Sequence, residues 1–355
     1  MSMDRRRFMR LGAGAAIAPL LPGCGGDGKV PATGVPRSDF DEDSTAEEVT
    51  EGIDLKGKIA VVTGCTSGIG YETMRVLARR GCYVIGTGRT LQSAQKACSS
   101  VIGVTTPVQL ELSDFDSVAA CADAIRSLNS PIDMLICNAG MRGSDYETAY
   151  GVEKHFVVNH LGHFILVYRL LERMYLAWQG RVVVVASRAA YRSAPEDGIQ
   201  FDDLRMTRDY SPGRAYAHSK LANVLFSLEL ARLLKGTRIT SNALHPGVID
   251  TNIARNVSVI ARGAFSAWTS MTGKSIEQGA ATSCFVATSP LLGSTSGQYF
   301  EDCNAVTVTG GSHMHDSEQA SRLWLASEEL TRDYLVEIKR PDWNEFENGI
   351  RKKKE

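Results

Sequence analysis

Short apolar runs and longer stretches of helical spacing take turns along most of this chain. The runs at 58–63, 82–88, 107–112, 132–137, 181–186 and 238–244 are short enough for strands and apolar at their centres. Between them, apolar residues recur at helical spacing in 91–100, 113–128, 150–178 and 216–234, and a further such stretch runs through Leu77 and closes at Gly81. Strands separated by helices predict a doubly wound parallel sheet covered on both faces, an α/β fold, because parallel neighbours need a crossover between them. Residues 53–335 are expected to form this single domain, with a last strand at 296–300.

The two ends break the pattern. Residues 4–10 are basic and 11–21 are apolar and rich in Gly and Ala, too short to span a bilayer as a mature helix. Residues 1–24 are therefore expected to be a targeting leader. Arg5-Arg6, followed by Phe8 and Arg10, resembles a bacterial twin-arginine export signal, and Leu21-Pro22-Gly23-Cys24 resembles a lipobox whose cysteine would be acylated. The expected location is the cell envelope, on the periplasmic face of the inner membrane; a transit-type leader, with a cytoplasmic or organellar destination, is the alternative. Residues 25–52 turn to Gly, Pro, Ser, Thr and acids and are expected to be a flexible tether, while 336–355 form a charged tail.

Composition narrows the function. The 355 residues are 43% hydrophobic, ordinary for a globular protein, and the net charge of −1 offers no basic excess for nucleic acid. Eight cysteines occur without a CxxC pair or a Cys/His cluster, so neither a zinc site nor a disulfide framework is expected.

The candidate chemistry sits at the ends of the predicted strands. After the first comes Gly64-Cys65-Thr66-Ser67-Gly68-Ile69-Gly70, then a helix. Glycines there allow a tight turn and close approach of backbone N–H groups to a pyrophosphate, which makes a Rossmann-type dinucleotide site. The second strand ends in Gly88-Arg89, where an arginine would favour the 2′-phosphate of NADP over the bare ribose of NAD. Asn138-Ala139-Gly140 follows another strand, Asn159 lies among apolar residues of a predicted helix, and Ser187 follows the run 181–186. Tyr216 and Lys220 stand four apart at the head of a helix, so phenol and ammonium share a face. A free phenol titrates near ~10, and acid–base work at neutral pH needs its phenolate favoured by about 4 kcal/mol. A neighbouring ammonium and a cofactor cation would each supply part.

Taken together and in this order, these segments resemble the short-chain dehydrogenase/reductase family, most closely its retinol-dehydrogenase-like, NADP-dependent branch, over roughly residues 53–330. Residues 63–70 resemble its TGxxxGxG turn, 138–140 its NAG segment, 158–164 its asparagine helix, 215–225 its catalytic helix, and Pro246-Gly247 with Val248 and Thr251 its loop around the nicotinamide carboxamide. The resemblance implies Tyr216 as proton donor and acceptor, Lys220 as the residue that lowers its pKa and holds the nicotinamide ribose, Ser187 on the substrate oxygen, and Asn159 on a water leading from Lys220. It also implies Glu111 and Leu112 near the adenine. Departures are Cys137 before the NAG segment, Glu111 where an aspartate is usual, and Ser187 alone where serines are often paired.

The expected reaction is NADP-dependent interconversion of a carbonyl and an alcohol. Residues 253–271, with Phe265, Trp268 and Met271, would lie over the site and suit a lipophilic aldehyde, ketone or alcohol. The twin-arginine route carries folded proteins, so an exported enzyme could leave with NADP bound. The alternative is a catalytically silent NADP-binding sensor on the same fold. The only expected membrane contact is an anchor at Cys24, and a homo-oligomer is compatible with the pattern.

Overall fold

A computed structural model describes residues 28–143, 145–249, 273–310 and 312–338. The leader with Cys24, Thr251, the apolar segment 253–271 and the tail beyond 338 lie outside the described residues.

Among the described residues nine strands form one sheet in the order β1-β11-β10-β9-β8-β5-β2-β3-β4. The parallel part comprises β2 (Ile59–Val62), β3 (Tyr83–Gly88), β4 (Thr105–Gln109), β5 (Met134–Cys137), β8 (Gly180–Val185), β9 (Ile239–His245) and β10 (Tyr299–Glu301). From β2 the chain winds outward through β3 to β4, then returns to lay β5 on the other side of β2. That reversal opens a crevice beyond the carboxyl ends of β2 and β5, where ligands of such sheets bind.

Strand residues alternate between two cores. Val61, Leu135, Val182 and Val184 face one cluster, whereas Ala60, Val62, Met134, Ile136, Val183 and Val185 face the other. Both faces are therefore dry, which is why the strands read as continuous apolar runs. The first core is covered by α4 (Phe115–Ser127), α6 (Gly162–Tyr175), α8 (Pro212–Leu233) and α10 (Ser317–Thr331), the second by α2 (Gly68–Arg79), α3 (Leu91–Ser99) and α9 (Ile276–Thr288). Helix α8 starts sharply because Ser211 caps it and Pro212 opens it.

Three expectations change. The predicted helix over 150–178 begins later: β6 (Thr148–Ala149) and β7 (Val152–Glu153) form a small hairpin around Tyr150 and Gly151, both at positive φ. A three-residue α5 (Lys154–Phe156) and a π turn at Val157–Leu161 then lead into α6. Nor does the sheet end at β10, because Asp302 and Cys303, both at positive φ, turn it back into β11 (Asn304–Val308), which runs antiparallel.

The third change concerns 25–52, expected as a tether. Over its described residues this segment is a strap on the fold. Its β1 (Lys29–Pro31) extends the sheet beside β11, and Ser38 Oγ donates to the Cys303 carbonyl at 3.0 Å. Phe40 packs edge-on to Phe285 at 5.9 Å, and α1 (Ala46–Val49), capped by Thr45 and Glu48, buries Ala46 and Val49. Glu47 receives Arg75, Arg79 and Arg80 at 2.9, 3.0 and 3.2 Å. Composition misleads here because the strap needs no core of its own; it lends a few apolar residues to one already built. A chain starting at Ile53 is expected to melt below one starting at Gly28, by roughly 2–4 °C per kcal/mol lost. Equal midpoints by circular dichroism would show that the strap adds nothing to stability.

Candidate active site

Gly64 leaves β2 with φ +73 and Gly68 opens α2 with φ +60, backbone conformations that side chains resist. A methyl group at Gly70 would run into Asn138 Nδ2 and the Gly64 carbonyl. Ser67 occupies the N-cap position of α2 without a side-chain capping bond, so the first-turn N–H groups remain available to an anion. The glycine turn thus forms one wall of a cleft of about 370 Å³ that runs along the strand ends.

Most predicted residues meet there. Gly64, Thr66, Ser67, Gly68, Ile69, Gly70, Arg89, Glu111, Leu112, Asn138, Ala139, Gly140, Tyr216, Lys220 and Pro246 all line the cleft. Arg89 is exposed at one end, just before the capped N-terminus of α3. The Glu111 carboxylate is engaged by the Ser113 N–H (3.0 Å) and hydroxyl (2.8 Å). Gly247 and Val248 lie off the cleft wall: Gly247 packs on the Lys274 side chain, and the Val248 carbonyl accepts from the Lys274 N–H at 2.9 Å. Asn159 stands behind the wall. The donors of this cleft suit a dinucleotide, with backbone N–H groups for the pyrophosphate, a guanidinium at one end and an ammonium and phenol at the other.

At the phenol end, the Ser187 hydroxyl stands beside the Tyr216 phenol and favours its ionised form. Ser187 Oγ also accepts from the Ala189 N–H at 3.2 Å, which anchors the hydroxyl in α7 (Ala189–Arg192), the short helix after β8. Lys220 Nζ lies 5.7 Å from the Tyr216 ring centre and donates to the Val185 carbonyl at 2.9 Å. Burial pushes the ammonium down to about 8. The Tyr216 phenol is pushed up by burial, and the groups that pull it back are Ser187, through its neighbouring hydroxyl, and Arg142, through its charge. The family resemblance implies Lys220 for that task and carries no expectation for Arg142, whose guanidinium lies 5.4 Å from the Tyr216 ring centre. Its one signal was position, as the first cation after the Asn138-Ala139-Gly140 turn.

Asn159 sits in the π turn, a feature that often marks functional sites. One wider turn rotates its amide inward while its neighbours stay in the core. Its Nδ2 donates to the Met141 carbonyl (3.1 Å) and to Ser219 Oγ (2.9 Å), and its Oδ1 accepts from the Met141 N–H (2.8 Å). The amide is thus a clamp between the loop after β5 and the catalytic helix, and both its donors are engaged. Behind it runs a second chain of bonds. Thr63 Oγ1 accepts from the Asn138 and Ala139 N–H groups, each at 2.9 Å, so its own proton points to His163 Nε2 at 2.9 Å. His163 must then carry its proton on Nδ1, which donates to the Asn159 carbonyl at 3.1 Å.

The histidine stays neutral: burial pushes His163 and His218 down to about 4 and His160 to about 3. An unfolded histidine titrates near ~6.5, so between about pH 6.5 and 4 the unfolded chain binds protons that the folded chain excludes. Stability present above pH 6.5 is therefore lost as the pH falls through that window. The urea midpoint should drop from about pH 6.5 downward, and less steeply for His163→Gln; equal slopes would remove this histidine from the balance. Among the described residues no group of three or more His, Cys, Asp or Glu could hold a metal.

Comparison with known proteins agrees with this layout. Residues 58–198 match the family described as short chain dehydrogenase. Human retinol dehydrogenase 12 is 40% identical over 286 residues, covering 78% of this chain and 87% of the relative. The chloroplastic short-chain dehydrogenase TIC 32 A of Brassica napus is 38% identical over 305 residues, covering 81% and 93%. A crystal structure from Mycobacterium paratuberculosis superposes with a TM-score of 0.65 at 31% identity, covering 82% of this chain and 98% of the other. A crystal structure from Beutenbergia cavernae, described as that of an NAD(P) dependent gluconate 5-dehydrogenase with NADP bound at low occupancy, superposes with a TM-score of 0.55 at 25% identity, covering 70% and 95%.

Proposed function

Because the chain belongs to the short-chain dehydrogenase/reductase family, among its retinol-dehydrogenase-like members, and is an oxidoreductase, we propose that it interconverts a lipophilic carbonyl compound and its alcohol with NADP(H). The observation that carries this reading is the neighbouring Ser187 and Tyr216 hydroxyls at one end of a cleft whose other end holds Arg89, which has no carboxylate partner among the described residues. Bound NADPH would supply the hydride. Ser187 and Tyr216 hydrogen-bond the substrate oxygen and stabilise the charge that develops there. Tyr216 then gives that oxygen its proton, and in the oxidation takes it back. Lys220, its ammonium fixed on the Val185 carbonyl, holds the nicotinamide ribose, while Ser187 and Arg142 favour the phenolate. Asn159 keeps the Met141 loop and the catalytic helix in register. Arg89 pairs with the 2′-phosphate. The relatives named as retinol dehydrogenases support an apolar substrate body.

Full-length protein should oxidise NADPH in the presence of lipophilic aldehydes, followed at the reduced-nicotinamide absorbance. Tyr216→Phe should lose about 10²–10⁴-fold in kcat, and Arg89→Ala should raise KM for NADPH while leaving that for NADH nearly unchanged. Equal turnover by Tyr216→Phe, or a wild type that prefers NADH, would overturn the mechanism or the cofactor assignment respectively.

The leader belongs to the same proposal: export by the twin-arginine route, with acylation at Cys24. Since β1 already starts at Lys29, the domain would ride within about 18 Å of its attachment point. Cells fed labelled palmitate should label the full chain but not Cys24→Ala; an unlabelled intact chain discards the anchor.

A further inference from the structure

Arg142 is held in a way that an incidental surface arginine is not. The residue before it, Met141, has both its N–H and its carbonyl bonded to the Asn159 side chain, at 2.8 and 3.1 Å. The residue after it, Gly143, donates its N–H to His155 Nε2 at 2.9 Å, and His155 Nδ1 in turn donates to the Glu153 carboxylate at 2.6 Å. Glu153 and His155 are both fully buried, so a dry polar pair is maintained behind this one loop. Two clamps thus fix the backbone on either side of Arg142, and its side chain emerges between them into the cleft.

The guanidinium then lies over the Tyr216 ring, 5.4 Å from its centre. That contact uses the charge and none of the N–H donors on an oxygen. No carboxylate among the described residues pairs with Arg142, whereas the ammonium of Lys154, which also lines the cleft, is taken by Glu147 at 2.6 Å. Besides the buried Lys220, whose ammonium is held by the Val185 carbonyl, the substrate end thus presents Arg142 with a fork of donors that has no carboxylate among the described residues, beside the phenol that faces the reacting oxygen. A planar guanidinium so placed matches a carboxylate in two parallel hydrogen bonds.

We infer that Arg142 is a specificity-determining residue, and that the substrate is a carbonyl compound with an apolar body and a carboxylate near the reacting carbon, held by Arg142. This deepens the reductase reading and rests on it. The carboxylate would dock on the guanidinium while the carbonyl oxygen lies between Ser187 and Tyr216, so the anion orients the reacting carbon as well as binding it. Hydride adds to the carbonyl carbon, Tyr216 delivers the proton to its oxygen, and the carboxylate is unchanged.

The test uses the full chain, NADPH, and the 2-, 3- and 4-formylbenzoates, each against its methyl ester, which keeps the shape and removes the charge. Wild type should favour at least one acid over its ester by about 10-fold or more in kcat/KM. Arg142→Met should lower that acid-to-ester ratio by about 10–100-fold, and Arg142→Lys should restore only part of it. A wild type without preference for any acid would overturn the inference. So would a ratio unchanged in Arg142→Met with both substrates slowed and the basic limb of the pH profile moved upward, since the guanidinium would then act on the phenol alone. Loss of turnover with every aldehyde, charged or neutral, would instead sink the reductase reading itself.

Discussion

Lys220 keeps an ammonium group with 1% of its surface exposed, and its hydrogen bond to the Val185 carbonyl ties the catalytic helix to the end of a central strand. Taking a cation out of water is unfavourable, and burial pushes this ammonium down to about 8. The surroundings are shaped by that cation. Gly140 has no side chain because a Cβ there would stand 3.2 Å from Asn159 Oδ1 and 3.5 Å from Lys220 Nζ. Asn223 shares the Val185 carbonyl at 3.2 Å, so the oxygen that receives the ammonium is fixed from two sides. A lysine held this rigidly sets where the phenol one turn earlier can lie.

The loop after β5 and the catalytic helix come from distant parts of the chain, and what joins them is polar. Asn159 bonds the loop backbone and Ser219 at once, and Ser219 Oγ donates to the Tyr216 carbonyl at 2.7 Å. Thr63 and His163 extend the connection to the glycine turn. Each of these groups is satisfied by a neighbour of defined direction, and that removes alternatives: a different tautomer of His163 would leave a donor facing a donor. The apolar cores on either face supply stability without this directionality, so alignment of the glycine turn, the loop and the helix rests on a thin polar layer between them.

A comparable division appears at the sheet edge. Glu301, 2% exposed at the end of β10, receives Lys29 at 2.6 Å, Arg188 at 3.0 Å and Tyr191 at 2.9 Å. Lys29 belongs to the strap and Arg188 follows Ser187 directly, so one buried carboxylate links the first described strand to the residue beside the candidate oxygen-binding serine. Removing the strap would leave that carboxylate with less compensation in a dry setting. The N-terminal strap is thus part of the support for the site and more than a connection to it.

The sequence alone determined the parallel α/β sheet, the glycine turn and the residues that gather in the cleft, because these depend on periodicity and on residue types whose demands are local. Helical spacing puts Tyr216 and Lys220 on one face whatever surrounds them, and β-branched runs between helices leave little choice but a sheet dry on both sides. Only the tertiary structure decided what lay in contacts between distant segments. Residues 28–52 look solvated by composition yet pack as a strap, since the surface they cover is built elsewhere. Asn159 faces inward because a π turn shifts its phase, which no apolar pattern encodes. Nothing in the sequence sets Arg142 apart beyond its position after the Asn138-Ala139-Gly140 turn; its place over Tyr216 follows from two clamps, at Met141 and Gly143, that hold the backbone between them.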